Sequence, residues 1–284
     1  MRFITFTESG RTRLGVLEGE RVLDLSAAFP GGMIGLLQAG AAGMAKARAA
    51  LDMGERVGSR FPLSVVTLLA PIPRPGKILG VGRNYGAHAA EGGLAAQEKP
   101  RIFIKLSTSV IGTGVPIRKP KSVEKLDYET ELAVVIGTPG RDIAEADALA
   151  HIAGYTILND VSARELQFDV SPPQTSLAKS MDTFCPMGPC LATPDEFADV
   201  ADIHLRGWVN GELVQEDTTA HLIFPVPVLI GYLSRFVTLE PGDVIATGTP
   251  AGVGAFRKPP RFLRAGDVVR MEIPEIGVLE NRVV

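Results

Sequence analysis

Two glutamates stand two residues apart at the head of an apolar run, in the segment LDYETELAVVIG at 126–137. Side chains at positions i and i+2 of a strand project to the same face, so we expect Glu129 and Glu131 side by side. An exposed strand edge would tolerate such a pair, but the run LAVVI predicts a strand that is buried on both faces. Two buried carboxylates repel each other unless a cation lies between them. The segment therefore predicts a cation site.

A third carboxylate follows the apolar stretch GYTIL, in the sequence NDVSARELQ. We expect Asp160 in a turn from strand to helix, because Ser162 and Glu165 match the capping-box pattern of a helix N-terminus. Three carboxylates favour a hard cation, Mg²⁺, Mn²⁺ or Ca²⁺. Arg164 and Gln167, three residues apart on the predicted helix, share a face with Asp160. A carboxylate, a cation and an amide that point one way suit an anionic substrate that chelates a metal.

The elements that must position these residues begin with a small unit. Its strand-like runs are RFITFTE, RTRLGVLEG and RVLDLSA, and the segment from Met33 to Met53 favours helix although two glycines interrupt it. The stretch APIPRPGK then brings three prolines, which favour an extended and stiff connection. We place a boundary there, with a small N-terminal α+β domain at 1–72 and a catalytic domain at 73–284.

Beyond this boundary, strand candidates outnumber helix candidates. The candidate strands are KILGVG, RIFIKL, ELAVVIG, GYTILN, HLRGWVN, DVIATG, DVVRMEI and GVLENRVV, and the candidate helices are AEADALAHIA, the segment that begins at Ser162, and PVPVLIGYLSRF. Strands and helices do not alternate regularly, which argues against a doubly wound parallel sheet. We predict an α+β, β-rich fold.

Composition excludes several classes of partner. The 284 residues include 29 basic and 32 acidic side chains, a net charge of −3, so no basic excess indicates nucleic acid or an anionic membrane. The sequence shows no signal-peptide pattern and no apolar run near the roughly 18 residues of a membrane span, so we expect a cytoplasmic protein. Cys185 and Cys190 are expected to be buried or half-buried thiols, since two cysteines alone do not make a zinc site.

Five segments occur in a characteristic order: NYGAHAAE, DYETELAVVIG, NDVSARELQ, SLAKSMDTFCPMGP and LEPGDVIATGTPAGVG. This set resembles the fumarylacetoacetate hydrolase family over roughly residues 73–284, and the first 70 residues resemble the small N-terminal domain of many bacterial members. The resemblance implies a mixed β-sandwich roll and a homodimer. Motif by motif it implies metal ligands at Glu129, Glu131 and Asp160, substrate contacts at Arg164 and Gln167, a catalytic lysine at Lys179, and a lid dyad of His88 and Glu91.

The resemblance also implies a reaction, the hydrolysis of a C–C bond in a 2,4-dioxo acid such as an acylpyruvate. A metal chelated by the 2-oxo acid would stabilise the developing enolate, and Lys179 would add positive charge at the same oxygen. His88, oriented by Glu91, would take a proton from the attacking water. The leading hypothesis is a divalent-metal-dependent hydrolase that releases pyruvate or a related 2-oxo acid together with a carboxylic acid.

Two other classes of function stay open. Because the same site can act on a 2-oxo acid without adding water, an oxaloacetate-type decarboxylase and a 2-hydroxy-dienedioate isomerase are alternatives. A non-catalytic anion-binding protein with the same fold is the third hypothesis.

Three further residues are weaker candidates. The loop TGTPAGVG follows a predicted strand, so its amides and Thr249 are candidates to bind a substrate carboxylate, with a plain tight turn as the alternative. His221 is a weaker alternative base than His88. Ser176 and Lys179 match the S-x-x-K pattern of a class of serine hydrolases, but the accompanying K-T-G element is absent.

Overall fold

The computed structural model describes residues 1–53, 59–93, 95 and 97–284. The N-terminal part forms strands β1 (Arg2–Glu8), β2 (Arg11–Glu18) and β3 (Arg21–Asp24), helices α1 (Gly32–Gln38) and α2 (Gly40–Asp52), and strands β4 (Arg60–Pro62) and β5 (Thr67–Leu68). The three expected strands are confirmed. The expected helix is divided at Gly40, whose backbone takes a positive φ of 54°.

The remaining chain is dominated by short strands. In order these elements are β6 (Ile78–Gly82), α3 (Gly86–Glu91), β7 (Arg101–Lys105), β8 (Val110–Ile111), β9 (Leu126–Asp127), β10 (Thr130–Ile136), β11 (Ile152–Asn159), β12 (Ser162–Ala163), α4 (Thr175–Ala178), β13 (Cys185–Ala192), β14 (His204–Val209), β15 (Glu212–Thr218), α5 (Val226–Ser234), β16 (Val244–Ala246), β17 (Val268–Ile273) and β18 (Gly277–Arg282). The predicted α+β, β-rich fold is confirmed.

Ten of these strands form one continuous mixed sheet in the order β4-β3-β2-β1-β13-β11-β10-β16-β6-β7, and β5 and β8 extend it beside β1 and β13. Most pairs are antiparallel, but β16 pairs with β6 in parallel. A second sheet has the order β15-β14-β17-β18, and β9 pairs with β12. Among the described residues, no helix is both long enough and apolar enough to cross a membrane.

The apolar run of β10 is explained by its place at the centre of the large sheet, where it is buried over its whole length. Leu132, Val134 and Ile136 belong to the core that includes residues of the second sheet. Ala133 and Val135 belong to the core on the other face, which includes residues of α1. A central strand that is covered on both faces needs apolar residues at every position, so strict alternation disappears.

The second sheet lies close against β10. A Cβ atom at Gly207 of β14 would lie 2.2 Å from the Oγ1 atom of Thr130. Only glycine therefore fits at this contact. The second sheet therefore packs on one face of β10, and Ala133 and Val135 lie on the opposite face.

Strand β13 was not predicted, because its sequence CPMGPCLA carries two prolines and a glycine, which disfavour a central strand. It nevertheless lies between β1 and β11. The β11–β13 pairing is irregular between Tyr155 and Ile157, which leaves room for Pro189 outside the regular ladder. The first strand of the N-terminal part therefore continues the central sheet, while the boundary at residue 72 stays a prediction.

The helix predicted to begin at Ser162 was wrong at its start, whereas the helix predicted in AEADALAHIA is present in the 3₁₀ form. Ser162 and Ala163 form strand β12 rather than a helix N-terminus, and a short π-helix follows at Glu165–Asp169. The Ser162 hydroxyl donates to the carbonyl of Asp160 instead of capping a helix. The segment AEADALAHIA forms a 3₁₀-helix at Glu145–His151.

Both cysteines are free and buried, as expected. Burial raises the pKa of the Cys185 and Cys190 thiols to about 12. A thiol that is inaccessible and protonated at neutral pH does not react as a nucleophile.

We expect Ellman's reagent to detect no fast-reacting thiol in the native protein and both thiols after unfolding in guanidinium chloride. Rapid reaction of either cysteine in the native state would contradict its placement in the core.

Candidate metal centre and active site

The three predicted carboxylates meet where β10 and β11 lie side by side. Glu129 precedes β10, Glu131 lies within it, and Asp160 directly follows β11. The two strands pair antiparallel with Thr130 opposite Asn159, and the Asp160 amide donates to the Glu129 carbonyl over 2.9 Å. One oxygen atom from each side chain lies within 4.8 Å of the others, and the residues are 5%, 1% and 0% exposed.

Lysine side chains neutralise part of this cluster. The Lys179 ammonium lies between two carboxylates, with Nζ 2.8 Å from Oε2 of Glu129 and 2.5 Å from Oδ2 of Asp160. Lys105 binds the other Asp160 oxygen over 2.6 Å and donates to the Lys179 carbonyl. A buried charge is tolerated only when it is paired, and these contacts pair the two ammonium groups with carboxylates. Burial opposes ionisation of Glu129, but the charges of Lys179 and Arg164 outweigh it and hold the pKa of that carboxyl below its usual range.

Glu131 has no cationic partner within ion-pair distance among the described residues, and its Oε2 accepts a hydrogen bond from the Gly248 amide over 2.8 Å. Burial, followed by the negative charges of Asp160 and Glu129, raises the pKa of Glu131 well above its usual range. A bound cation would balance the negative charges of these neighbouring carboxylates and so favour ionised Glu131. The donor set of three buried carboxylate oxygens therefore fits a hard divalent ion.

A fourth carboxylate, Asp127, extends the row and holds Arg164. Its Oδ2 lies 2.9 Å from Nε of Arg164, whose Nη2 lies 2.7 Å from Oε1 of Glu129 and whose Nη1 donates to Oε1 of Gln167 over 2.8 Å. Arg164 is 2% exposed. The predicted pair of Arg164 and Gln167 is thus brought together beside the carboxylate cluster, and the roles of both residues as substrate contacts stay predictions.

The loop after β16 uses its amides for carboxylates of the protein itself. Gly248 donates to Glu131, Gly252 donates to Glu91 over 2.9 Å, and the Gly254 and Ala255 amides donate to Asp127 over 2.8 and 2.9 Å. The amides of this glycine-rich loop were expected to bind an anion, and those of Gly248, Gly252, Gly254 and Ala255 bind carboxylates of the protein rather than being left for a substrate.

Thr249 belongs to the same loop and is buried. Its hydroxyl accepts from Nε2 of Gln215 over 2.7 Å and donates to the Thr130 carbonyl over 3.0 Å. The Thr249 hydroxyl proton is thus engaged in a hydrogen bond to the protein backbone. Contact between Thr249 and a substrate stays a prediction.

His88 lies on α3, buried, with its Nδ1 atom 2.8 Å from Oε1 of Glu91. The other Glu91 oxygen accepts the Gly252 amide, which fixes the carboxylate against the ring. The imidazole also lies against Phe256, with 5.7 Å between the ring centroids. A carboxylate at Nδ1 favours a proton on that nitrogen, so Nε2 is left as the basic atom.

One cavity of ≈ 60 Å³ connects these groups. The predicted residues that line it are His88, Glu129, Glu131, Arg164, Gln167, Lys179 and Thr249, and its other walls include Val81, Arg83, Arg101, Phe103, Phe168 and Phe256. Asp160 and Glu91 reach the same site through Lys179 and His88.

The weaker candidates lie elsewhere or serve other contacts. His221 is exposed, pairs with Asp217 over 2.5 Å and does not line this cavity. Ser176 is also exposed and accepts the Ile104 amide over 3.4 Å, whereas Lys179 points to the carboxylates. A Ser176–Lys179 hydrolase is therefore excluded by the separation of the two side chains into different environments.

Three contacts at this site were not predicted from the sequence: those of Lys105 with Asp160, of Asp127 with Arg164, and of the Ser162 hydroxyl with the Lys179 ammonium over 2.9 Å. Asp127 had a usable signal, because it stands two residues before Glu129 and continues the same i, i+2 row. The sequence signal for Lys105 was weaker: in the strand RIFIK it stands two residues after Phe103 and so shares the buried face of that side chain. No local pattern indicates the contact of Ser162 with Lys179.

Comparisons with known proteins agree with this arrangement. The model of the fumarylacetoacetate hydrolase C-terminal domain matches residues 77–284, and the model of an Rv2993c-like N-terminal domain matches residues 1–71. The chain belongs to the fumarylacetoacetate hydrolase family.

Three relatives cover the whole chain. A mitochondrial oxaloacetate tautomerase of Xenopus laevis is 44% identical over 100% of this chain and 90% of its own length. A fumarylacetoacetate hydrolase from Exiguobacterium antarcticum is 39% identical with a TM-score of 0.86, and the match covers 100% of this chain and 99% of that one. A maleylpyruvate hydrolase from Sphingobium sp. SYK-6, solved with manganese(II) and pyruvate, is 31% identical with a TM-score of 0.83 at the same coverage. These relatives are enzymes, which supports an enzyme here.

We expect Asp127→Asn to destabilise the protein, because it leaves the buried Arg164 guanidinium without one of its two anionic partners. Breaking a buried pair in this way costs about 3–5 kcal/mol. Chemical denaturation followed by circular dichroism measures the loss. Glu212→Gln is the control, since Glu212 pairs with Arg257 and Arg261 at the surface and its loss should change stability far less. Equal effects of the two substitutions would contradict the role given to Asp127.

We also expect Glu131→Gln to weaken binding of Mn²⁺ by at least about tenfold, because it removes a carboxylate ligand and its charge. Titration calorimetry or the electron paramagnetic resonance signal of free Mn²⁺ measures this affinity. Glu91→Gln is the matched control, because Glu91 is held by His88 and Gly252 rather than by the three-carboxylate cluster. Unchanged Mn²⁺ affinity in Glu131→Gln would contradict the placement of Glu131 among the metal ligands.

Proposed function

We propose that this chain interconverts the keto and enol forms of a small 2-oxo acid, with oxaloacetate as the first candidate substrate. A divalent ion, Mg²⁺ or Mn²⁺, would be held by Glu129, Glu131 and Asp160. The observation that carries the proposal is that His88, oriented by Glu91, faces the same small cavity as the carboxylate cluster. A proton-transfer group and a cation site at one cavity are the two requirements of enolisation.

When bound, the divalent ion would supply Lewis acidity that polarises the 2-oxo group and makes the neighbouring C3–H more acidic. Arg164 and Gln167 would hold the adjacent carboxylate. The Arg164 guanidinium has five N–H donors, and its contacts with Asp127, Glu129 and Gln167 among the described residues do not use all of them. The Gln167 amide also keeps its nitrogen donors, because the contact with Arg164 uses its oxygen.

Proton transfer is assigned to His88. Nε2 takes the proton from C3, the C3–H bond breaks, and the electron pair forms the C2–C3 double bond as the carbonyl oxygen becomes an enol oxygen. The imidazolium then returns its proton to that oxygen, so the net change moves one proton from carbon to oxygen. Glu91 stabilises the imidazolium through Nδ1. Lys179 contributes positive charge beside the oxygen.

Tautomerisation is supported by one comparison, because the relative from Xenopus laevis, 44% identical over the whole of this chain, is an oxaloacetate tautomerase. Tautomerisation also makes fewer demands on the site than hydrolysis, since it involves one small molecule and no water has to be positioned.

Hydrolysis of a C–C bond in an acylpyruvate is the second candidate. It is favoured by the His88–Glu91 pair, which is equally suited to activate a water. The relatives from Exiguobacterium antarcticum and Sphingobium sp. SYK-6 are hydrolases. Decarboxylation of oxaloacetate and isomerisation of a dienedioate would use the same cation site. A homodimeric assembly and a cytoplasmic location remain predictions from the resemblance and the sequence.

We expect His88→Ala to lower the rate of oxaloacetate tautomerisation by about 10²–10⁴-fold, the usual contribution of a general acid–base group. Stopped-flow absorbance of the enol, corrected for the spontaneous reaction in buffer, measures the rate in Mn²⁺-loaded enzyme. His204→Ala is the control, because His204 is exposed on β14 and should leave the rate unchanged. Removal of the metal with a chelator should abolish the enzymatic rate.

The products decide between the candidates. Retention of oxaloacetate with loss of enol identifies tautomerisation, whereas release of pyruvate and carbon dioxide identifies a decarboxylase. Release of pyruvate and acetate from acetylpyruvate identifies the hydrolase. A full tautomerisation rate in His88→Ala would contradict the proposal.

A further inference from the structure

Two arginines line the cavity together with the carboxylate cluster. Gly82 on β6 pairs with Arg101 on β7, and Arg83 directly follows Gly82. The Arg101 side chain lies over this glycine, because its Cδ atom is 3.9 Å from the position that a Cβ of residue 82 would take. Gly82, Arg83 and Arg101 all line the same cavity.

Neither arginine has an acidic partner among residues 1–53, 59–93, 95 and 97–284. In the part of the chain that the structure describes, ion pairs engage Arg164 and several surface arginines, but none engages Arg83 or Arg101. The Nε and Nη2 atoms of Arg83 lie 2.8 and 3.0 Å from the side-chain oxygen of Gln97, in the amide orientation that satisfies both groups. That oxygen is neutral, so the positive charge of Arg83 is not balanced by it.

The two positive charges also act on each other. Partial burial, and after it the charge of Arg101, lowers the pKa of Arg83 from its ordinary value. Like charges that share a cavity favour a bound counterion. A guanidinium offers paired N–H donors that match the two oxygens of a carboxylate.

The backbone supports a functional reading of Arg83. Its φ of 57° lies in the left-handed region, which a residue other than glycine adopts at a cost in free energy. Such conformations cluster at ligand sites because the surrounding structure maintains them. With this backbone conformation Arg83 lines the cavity, and no carboxylate of the described residues pairs with it.

We propose that Arg83 and Arg101 bind the second carboxylate of a short dicarboxylic 2-oxo acid and thereby select dicarboxylates over monocarboxylates. This inference rests on the proposed function for the 2-oxo acid end of the substrate. One anionic end would lie at the carboxylate-bound cation with Arg164 and Gln167. The other end would lie between the two arginines, with the aromatic side chains of Phe103 and Phe168 along the cavity wall.

Binding of unreactive probes tests the inference without turnover. Malate carries a 2-hydroxy acid and a second carboxylate, whereas 2-hydroxybutyrate has the same four-carbon chain without the second carboxylate. We expect Mn²⁺-loaded wild-type protein to bind malate about 10- to 100-fold more tightly in titration calorimetry, as charged hydrogen bonds typically contribute.

Arg101→Met and Arg83→Asn should each remove most of that preference while the affinity for 2-hydroxybutyrate stays unchanged. Asparagine is chosen at residue 83 because it tolerates a positive φ. Arg101→Lys should retain an intermediate preference, since it keeps the charge but not the paired donors. Arg235→Met, at an exposed arginine beyond the end of α5, is the matched control and should bind both probes as the wild type does.

The outcomes separate this inference from the proposed function. Equal affinities for malate and 2-hydroxybutyrate in the wild type, or an undiminished preference in both arginine variants, would overturn the inference even if oxaloacetate is turned over. An arginine-dependent preference for malate without tautomerisation of oxaloacetate would support the inference and overturn the proposed function. If both hold, KM for oxaloacetate should rise in Arg101→Met with little change in kcat.

Discussion

Four carboxylates buried within one small region are the constraint on which the rest of the site depends. Transfer of one ionised carboxylate out of water costs several kcal/mol even after the protein relaxes, so the group survives only with compensating charge. Lys105, Lys179 and Arg164 provide three positive charges in direct contact with the cluster. The fourth carboxyl group, that of Glu131, has no such partner among the described residues, and burial beside two carboxylates raises its pKa well above the usual range. This imbalance, rather than the presence of acidic residues as such, indicates a cation site.

The compensating groups come from distant parts of the chain, and this ties the fold to the site. Lys105 lies on the terminal strand of the large sheet, Lys179 follows α4, and Arg164 follows β12. Peptide amides complete the set at the loop after β16, where partial positive charges point at carboxylates without adding a mobile side chain. Amides held by a rigid turn are suited to this because they are already oriented before the charge is present.

The parts of the structure that follow local rules could be predicted from the sequence. The i, i+2 spacing of Glu129 and Glu131 and the position of Asp160 at a strand end indicated the cluster, and the family resemblance implied the same three residues. The apolar run of β10 predicted a strand buried on both faces. Residues with no local signature, His88 and Lys179, were found through the family resemblance. Their contacts with Glu91 and with the cluster agree with it.

The elements and contacts that were not predicted correctly from the sequence differ from expectation for physical reasons. Strand β13 contains prolines that argue against a central position, yet an irregular register accommodates them. The S-A-R-E pattern did not begin a helix, because the Ser162 hydroxyl binds the Asp160 carbonyl and the Lys179 ammonium. The partner of Asp160, Lys105, lies 55 residues away and is set by sheet order. Tertiary contacts override local propensity at these positions.

The loop after β16 contacts both the carboxylate cluster and the His88–Glu91 pair. Gly248 orients Glu131, and Gly252, four residues later, orients the carboxylate behind His88. Gly252 has a positive φ of 106°, and a Cβ there would lie 2.0 Å from the Val214 carbonyl oxygen, so this backbone cannot shift to admit a larger residue. The carboxylate cluster and the His88–Glu91 pair therefore depend on the same stretch of backbone, and a shift of that backbone would disturb both. Arg101 lies on the outermost strand, away from this loop, so a change of its side chain leaves that peptide geometry intact.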